Sequence, residues 1–73
     1  NEGYMSEWIS VETRMPEIGQ RTRRTNEKLA YCPFVQKTFM ACYNSEERWE
    51  HYMSGNNLPY EASHWMELPP PPL

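Results

Sequence analysis

A small, mainly β domain built on an antiparallel meander is the fold class this sequence predicts, and three observations predict it. Two β-type runs, residues 29–32 and 37–43, flank a connection, Pro33-Phe34-Val35-Gln36, of hairpin length. A third β-type run, residues 48–52, follows the polar turn Asn44-Ser45-Glu46-Glu47. Nowhere does an apolar pattern of helical period extend beyond a turn or two. Three strands joined by short turns are about the minimum for a sheet that is stable alone.

Taken in order, Glu7-Trp8-Ile9-Ser10-Val11 is an extended, β-compatible N-terminal segment. Pro16 and Gly19 punctuate the loop over residues 12–20. Residues 21–28 are wholly polar and read as an exposed loop or a frayed strand start. Within residues 37–43 the two-residue period puts Phe39, Ala41 and Tyr43 on one face and Met40 and Cys42 on the other. Ser54-Gly55-Asn56-Asn57 is a loop by composition, and a short fourth strand is expected over residues 61–66. The ending Leu68-Pro69-Pro70-Pro71-Pro72-Leu73 cannot be a central strand, because its prolines lack amide donors and favour polyproline II. It suits a clamp, with proline rings laid on Trp65 or Trp8.

The length, 73 residues, leaves room for one domain, expected over residues 5–73. Because the chain opens on Asn, residues 1–4 are read as a foreign or unstructured start before Met5. So short a chain hides only roughly 60% of the surface its unfolded state exposes. Val and Ile occur only twice each, against three Trp, five Tyr and two Phe. A few large rings therefore have to make the core, and Trp8, Trp49 and Trp65 are expected to pack together. The net charge of −3 argues against whole-protein attraction to nucleic acid or anionic membrane. No apolar stretch reaches the roughly 18 residues of a membrane span, and no basic-then-apolar leader is visible. Two cysteines in such a chain read as reduced thiols, which implies a cytoplasmic address.

Several constellations deserve weighing as chemistry. Cys32, Cys42, His51 and His64 are the right types for a zinc site, but every gap between them is long where structural sites pair their ligands closely. No metal and no other cofactor is expected. A disulfide fails on distance: with Cys32 opposite Lys37 across the hairpin turn, Cys42 lies too far along the partner strand. A catalytic cysteine needs a base and a group to orient it, and the chain contains no Asp, no nucleophile elbow and no Gly-rich phosphate loop. The chain is therefore read as not an enzyme. Arg21, Arg23, Arg24 and Lys28 form a local basic cluster that, beside Tyr and Trp faces, would suit phosphate or single-strand contact. Among Trp8, Tyr31, Phe34, Trp49, Tyr52, Tyr60 and Trp65, some must be core, and any that project outward become anchors for a protein partner. Phe34, between Pro33 and Val35 at the hairpin tip, is the first choice for an exposed contact. The sheet edges offer a second route, strand addition.

Two segments carry a family resemblance. Trp8-Ile9-Ser10-Val11-Glu12-Thr13-Arg14-Met15-Pro16-Glu17-Ile18-Gly19-Gln20 resembles the opening motif of the domain of unknown function 551 family, and Ser63-His64-Trp65-Met66-Glu67-Leu68-Pro69-Pro70-Pro71 resembles its closing motif. Between them, Tyr43 followed by Arg48-Trp49-Glu50-His51-Tyr52 is similar to its central pair of strands. These small proteins are common in bacteriophages, prophages and their hosts, and the family name carries no activity. Members usually pass from Gly-Gln straight into an apolar strand, whereas residues 21–28 intervene here. The resemblance implies a non-enzymatic phage or prophage accessory protein that binds a host or phage protein. Nucleic-acid contact through residues 21–28 is the alternative, and no membrane partner is expected.

Overall fold

The expected runs pair into one sheet, and the order in which they pair decides which surfaces stay open. The computed structural model describes residues 7–69 and 72. Among them there is no helix, and five strands are present: β1 (Ile9–Ser10), β2 (Lys28–Cys32), β3 (Lys37–Tyr43), β4 (Trp49–His51) and β5 (His64–Glu67). All pairings are antiparallel, in the order β1-β5-β2-β3-β4. Strands β2, β3 and β4 are the expected meander. Strand β5 then returns to lie beside β2 on its other edge, which turns the meander into a Greek key with β1 added outside it. The reason lies in β2: Lys28, Ala30 and Cys32 are buried, so its free edge needs a hydrogen-bonding partner out of water.

The turns explain the registers. Cys32 pairs with Lys37 as the hairpin length requires, and the Gln36 amide donates to the Pro33 carbonyl at 3.2 Å. Gln36 takes φ 56° to turn the chain back into β3. At the next turn Asn44 is the organiser: its Oδ1 accepts from the amides of Glu46 (2.9 Å) and Arg48 (3.1 Å). Its Nδ2 donates to Glu50 at 2.7 Å, and Glu47 supplies the left-handed residue at φ 63°. Tyr43 and Trp49 are thereby paired, with ring centroids 5.1 Å apart.

The polar stretch is more ordered than its composition implies. Gly19 and Arg23 close a turn through Gly19 N to Arg24 O (3.1 Å) and Arg23 N to Gly19 O (2.9 Å). A Cβ at Gly19 would stand 2.9 Å from Thr22 Oγ1 and 3.3 Å from the Arg24 carbonyl, so the close approach calls for glycine. Arg24 and Thr25 then run alongside the end of β3, with a bridge from Arg24 to Asn44 and Thr25 N donating to Tyr43 O at 2.9 Å. The exposed-loop reading is corrected at Thr25, which is buried; Lys28 begins β2, as the strand-start alternative expects, but is buried and paired with Ala41 and Glu67.

One face of the sheet holds the core. Ala30, Ala41, Trp49 and Trp65 are its buried members, and Ile9, Val11, Met15, Tyr43, Leu58 and Ala62 pack against them. Phe39, Ala41 and Tyr43 do share a face by register. Trp8 departs from the expected trio: it is 43% exposed and lies on the opposite face, its ring tilted against Tyr31 at 6.1 Å. Ile9 pairs with Trp65 on the core face, so its neighbour Trp8 has to point the other way. Trp65 is covered by cations, with the Arg14 guanidinium 5.3 Å and the Lys28 ammonium 5.7 Å from its ring. The expected clamp by the proline tail, residues 68–73, falls partly outside the described residues, at residues 70, 71 and 73, and residues 1–6 fall outside them too. Among the described residues no helix is long and apolar enough to cross a membrane.

Candidate functional site

The turn that joins β2 to β3 carries Phe34 at its tip, where no sheet neighbour can cover it. Phe34 is 85% exposed, and the ring of Tyr60 lies almost parallel to it at 6.0 Å and 28°. Tyr60 reaches that position from the long connection between β4 and β5. Ser63 N donates to Tyr31 O at 2.9 Å, and the Cys32 thiol points at the Tyr60 carbonyl at 3.9 Å. Pro33, Phe34, Pro59, Tyr60 and Glu61 line a shallow concavity of about 490 Å³. Two prolines and two rings give a surface with little conformational freedom to lose on binding.

At Pro59, Tyr60 and Glu61 this concavity adjoins a second, of about 560 Å³. Val11, Met15, Leu58 and Ala62 give it an apolar floor, and Glu46, Glu47 and Glu61 stand at its rim with Arg48. The floor is formed by the connections that cover the core, held by Leu58 N to Trp49 O (2.8 Å) and Val11 N to Ser63 O (3.0 Å). Apolar floor, aromatic end and acidic rim together suit an extended polypeptide that carries apolar and basic side chains.

The basic cluster does not stay together. Lys28 is buried and donates to Glu67 at 2.7 Å. Arg24 donates to Glu50 at 3.0 Å. Arg21 and Arg23 are exposed on the turn that Gly19 closes. Of the five residues singled out for partner contact, Phe34 is therefore the one set in a concave apolar surface. Tyr60 was among the candidate anchors, but its placement beside Phe34 and the groove itself are what the sequence reading missed, since the groove joins residues from three connections and follows no period.

The thiols and imidazoles also lie apart. Cys32 shares a face with Ala30, whereas Cys42 lies on the face of Met40. His51 packs edge-on against Phe39 at 5.6 Å, and His64 Nδ1 lies 2.7 Å from Ser63 Oγ. Among the described residues no three His, Cys, Asp or Glu side chains are grouped to hold a metal. Both cysteines are free and buried, and burial pushes both thiols above their ordinary range. For Cys42, Arg24 pulls the other way and Glu50 and Glu27 add to the rise. The native state thus holds these protons where the unfolded chain releases them, so stability falls as pH rises through the ordinary thiol range. At pH 8 both cysteines should alkylate slowly in the native protein and rapidly in denaturant, read by mass spectrometry; fast native labelling of either would contradict the burial.

The two segments that carry the family resemblance are partners in space. Ile9 pairs with Trp65 and Ser10 with His64, and the Trp65 indole donates to the Arg14 carbonyl at 2.8 Å. Their shared work is to close the sheet and its core, which is a folding role. The model of the family described as "Protein of unknown function (DUF551)" matches residues 7–73, and the chain belongs to that family. Comparison with curated proteins and with solved structures returns no match.

Proposed function

We propose that this member of the DUF551 family is a small non-enzymatic accessory protein, of phage or prophage origin, that binds another protein through the Phe34–Tyr60 tip and its adjoining groove. One observation carries the reading: a phenyl ring 85% exposed yet stacked on a second ring, continuous with a groove of apolar floor and acidic rim. Exposed aromatics held rigid in this way are the residues that dominate protein interfaces. The partner's chemistry follows from the lining. An aliphatic or proline side chain fits against the two rings, and a Lys or Arg meets Glu46, Glu47 or Glu61. The net charge of −3 favours the same encounter over one with a phosphate backbone. With Arg24 and Lys28 engaged by Glu50 and Glu67, the nucleic-acid alternative has to rest on Arg21 and Arg23.

The test is capture from host lysate by the tagged protein, with and without nuclease, comparing wild type with Phe34→Ala. Because Phe34 is exposed, the substitution should leave stability within about 0.5 kcal/mol. It should weaken the captured partner by at least about tenfold, the mark of an interface anchor. Binding that persists through Phe34→Ala and Tyr60→Ser alike would remove the tip from consideration. Capture that is lost on nuclease treatment would move the reading to nucleic acid and to Arg21 and Arg23.

A further inference from the structure

The walls of the groove are turns and bends rather than a strand edge. The chain bends at Pro59 and Tyr60, and Pro33 and Pro59 have no amide to offer. At the floor the amides of Val11 and Leu58 are already used, on Ser63 O and Trp49 O. A ligand docking as an added strand would find no continuous ladder there. What the groove does offer is side-chain donors, because Tyr43, Trp49 and Tyr60 line it. The two hydroxyls and the Trp49 indole N–H make no hydrogen bond among the described residues, and none is a buried group without a partner, so water reaches all three. Burial, and then the Glu47 carboxylate, hold the Tyr43 hydroxyl above its ordinary pKa, which keeps it a donor.

We propose that the groove takes a proline-rich segment of its partner in the polyproline II conformation, with a Lys or Arg beside the prolines. This rests on the tip and groove being the partner surface. A polyproline II helix has no internal hydrogen bonds, so its carbonyls are free to accept from Tyr43, Trp49 and Tyr60. An α-helix uses its carbonyls internally and would cover those donors without pairing them, an unfavourable exchange. With three residues per turn, residues i and i+3 of polyproline II share a face and enter the two hollows that meet at Tyr60. Its backbone is ordered before binding, so little freedom is lost when the rings of Phe34 and Tyr60 receive it.

The rim accounts for the basic residue. Glu46, Glu47 and Glu61 set three exposed carboxylates against the guanidinium of Arg48, and among the described residues no ion pair joins them. A cation on the ligand therefore meets unengaged acceptors, and an acidic ligand is repelled. The chain's own proline run, residues 68–73, has no Lys or Arg to answer that rim.

Titration of the isotope-labelled protein, followed by two-dimensional amide NMR, tests it with synthetic peptides of about ten residues, roughly three turns each. Two peptides carry a proline core with one Arg, placed before it or after it. A third has Glu in place of Arg, and a fourth keeps Arg but has Ala for every proline. At up to about 1 mM, one or both Arg–proline peptides should move the resonances of Tyr60, Glu61 and the Trp49 indole, and the order that binds gives the ligand's direction. The Glu and Ala peptides should bind at least about tenfold more weakly. Glu46→Lys, Glu47→Lys and Glu61→Lys alter exposed side chains, and at least one should reverse the preference between the Arg and Glu peptides. Equal affinity for the Ala peptide would overturn the proposal in favour of a helical ligand. Equal affinity for the Glu peptide, or for a peptide of residues 67–73, would overturn it too, by removing the rim from recognition. If no peptide moves the groove, the proposal fails; whether Phe34→Ala still loses the lysate partner then decides separately if the tip remains a partner surface.

Discussion

Replacing Trp65 by Ala is expected to unfold most of the protein at 25 °C. Trp65 is 1% exposed, the largest fully buried side chain, and sits on β5 between β1 and β2. Its ring fills the centre of the core with Ala30, Ala41 and Trp49, and its indole N–H satisfies the Arg14 carbonyl. Truncating a buried aromatic to Ala costs about 3–5 kcal/mol. At roughly 0.05–0.15 kcal/mol per residue, a chain of this length has about 4–11 kcal/mol in total, and small single-core domains fall at the low end. The loss thus approaches the whole stability. Three tethers fail together, because Trp65 joins the opening segment to the sheet, fills the core and carries Arg14 and Lys28 over its ring. Urea denaturation followed by circular dichroism measures the effect. Trp65→Phe separates the contributions: it keeps an apolar ring but forfeits the hydrogen bond, and should lose only part of the stability. A Trp65→Ala protein that keeps a cooperative midpoint near that of wild type would show that the core lies elsewhere.

The strands were legible in the sequence wherever β-type runs and turn chemistry agreed. Residues 37–43 are a continuous β-type run, and Asn44 and Pro33 mark the turns beside them, so β3 and its two neighbours follow from local pattern alone. What local pattern does not contain is partnership across long separations. Lys28 reads as solvated because its neighbours are polar, yet its ion-pair partner Glu67 lies 39 residues away. Trp8 reads as core because tryptophans usually are, and only the pairing of Ile9 with Trp65 decides that it points outward. The return of β5 to β2, which makes the Greek key, likewise depends on an unsatisfied strand edge and on the partners Trp65 and Glu67 find across it, none of which lies nearby in sequence.

The candidate site divides in the same way. Phe34 was identifiable because a hairpin tip cannot bury its central residues. Leu58, the acidic rim and the placement of Tyr60 beside Phe34 were not, because the groove is assembled from residues near 11–15, 43–49 and 57–62. The two family motifs point to each other rather than to the groove. Their pairing explains why a resemblance across nearly the whole chain implies a fold so strongly and a chemistry so weakly.

Ala30→Leu is the second large effect expected, and it works by adding volume. Ala30 is fully buried on the central strand, paired with Phe39 on one side and Trp65 on the other. Large rings over small residues fill this core, so the methyl of Ala30 sits where a longer side chain would have to displace Trp65 or the segments covering it. Overpacking of this kind typically costs about 1–3 kcal/mol, and a single sheet covered by irregular segments has only those segments to yield. Strain at Ala30 should therefore emerge at Val11, Met15, Leu58 and Ala62, the floor of the groove. A lowered thermal midpoint should come with weaker capture of the tip's partner, while Phe34 itself is untouched. Thr38→Leu on the opposite face of the sheet is the control, since Thr38 is exposed and has room for the added carbons. Equal destabilisation by the two changes would mean that the faces do not differ in packing. Loss of stability in Ala30→Leu without any change in capture would mean that partner binding does not draw on the groove floor.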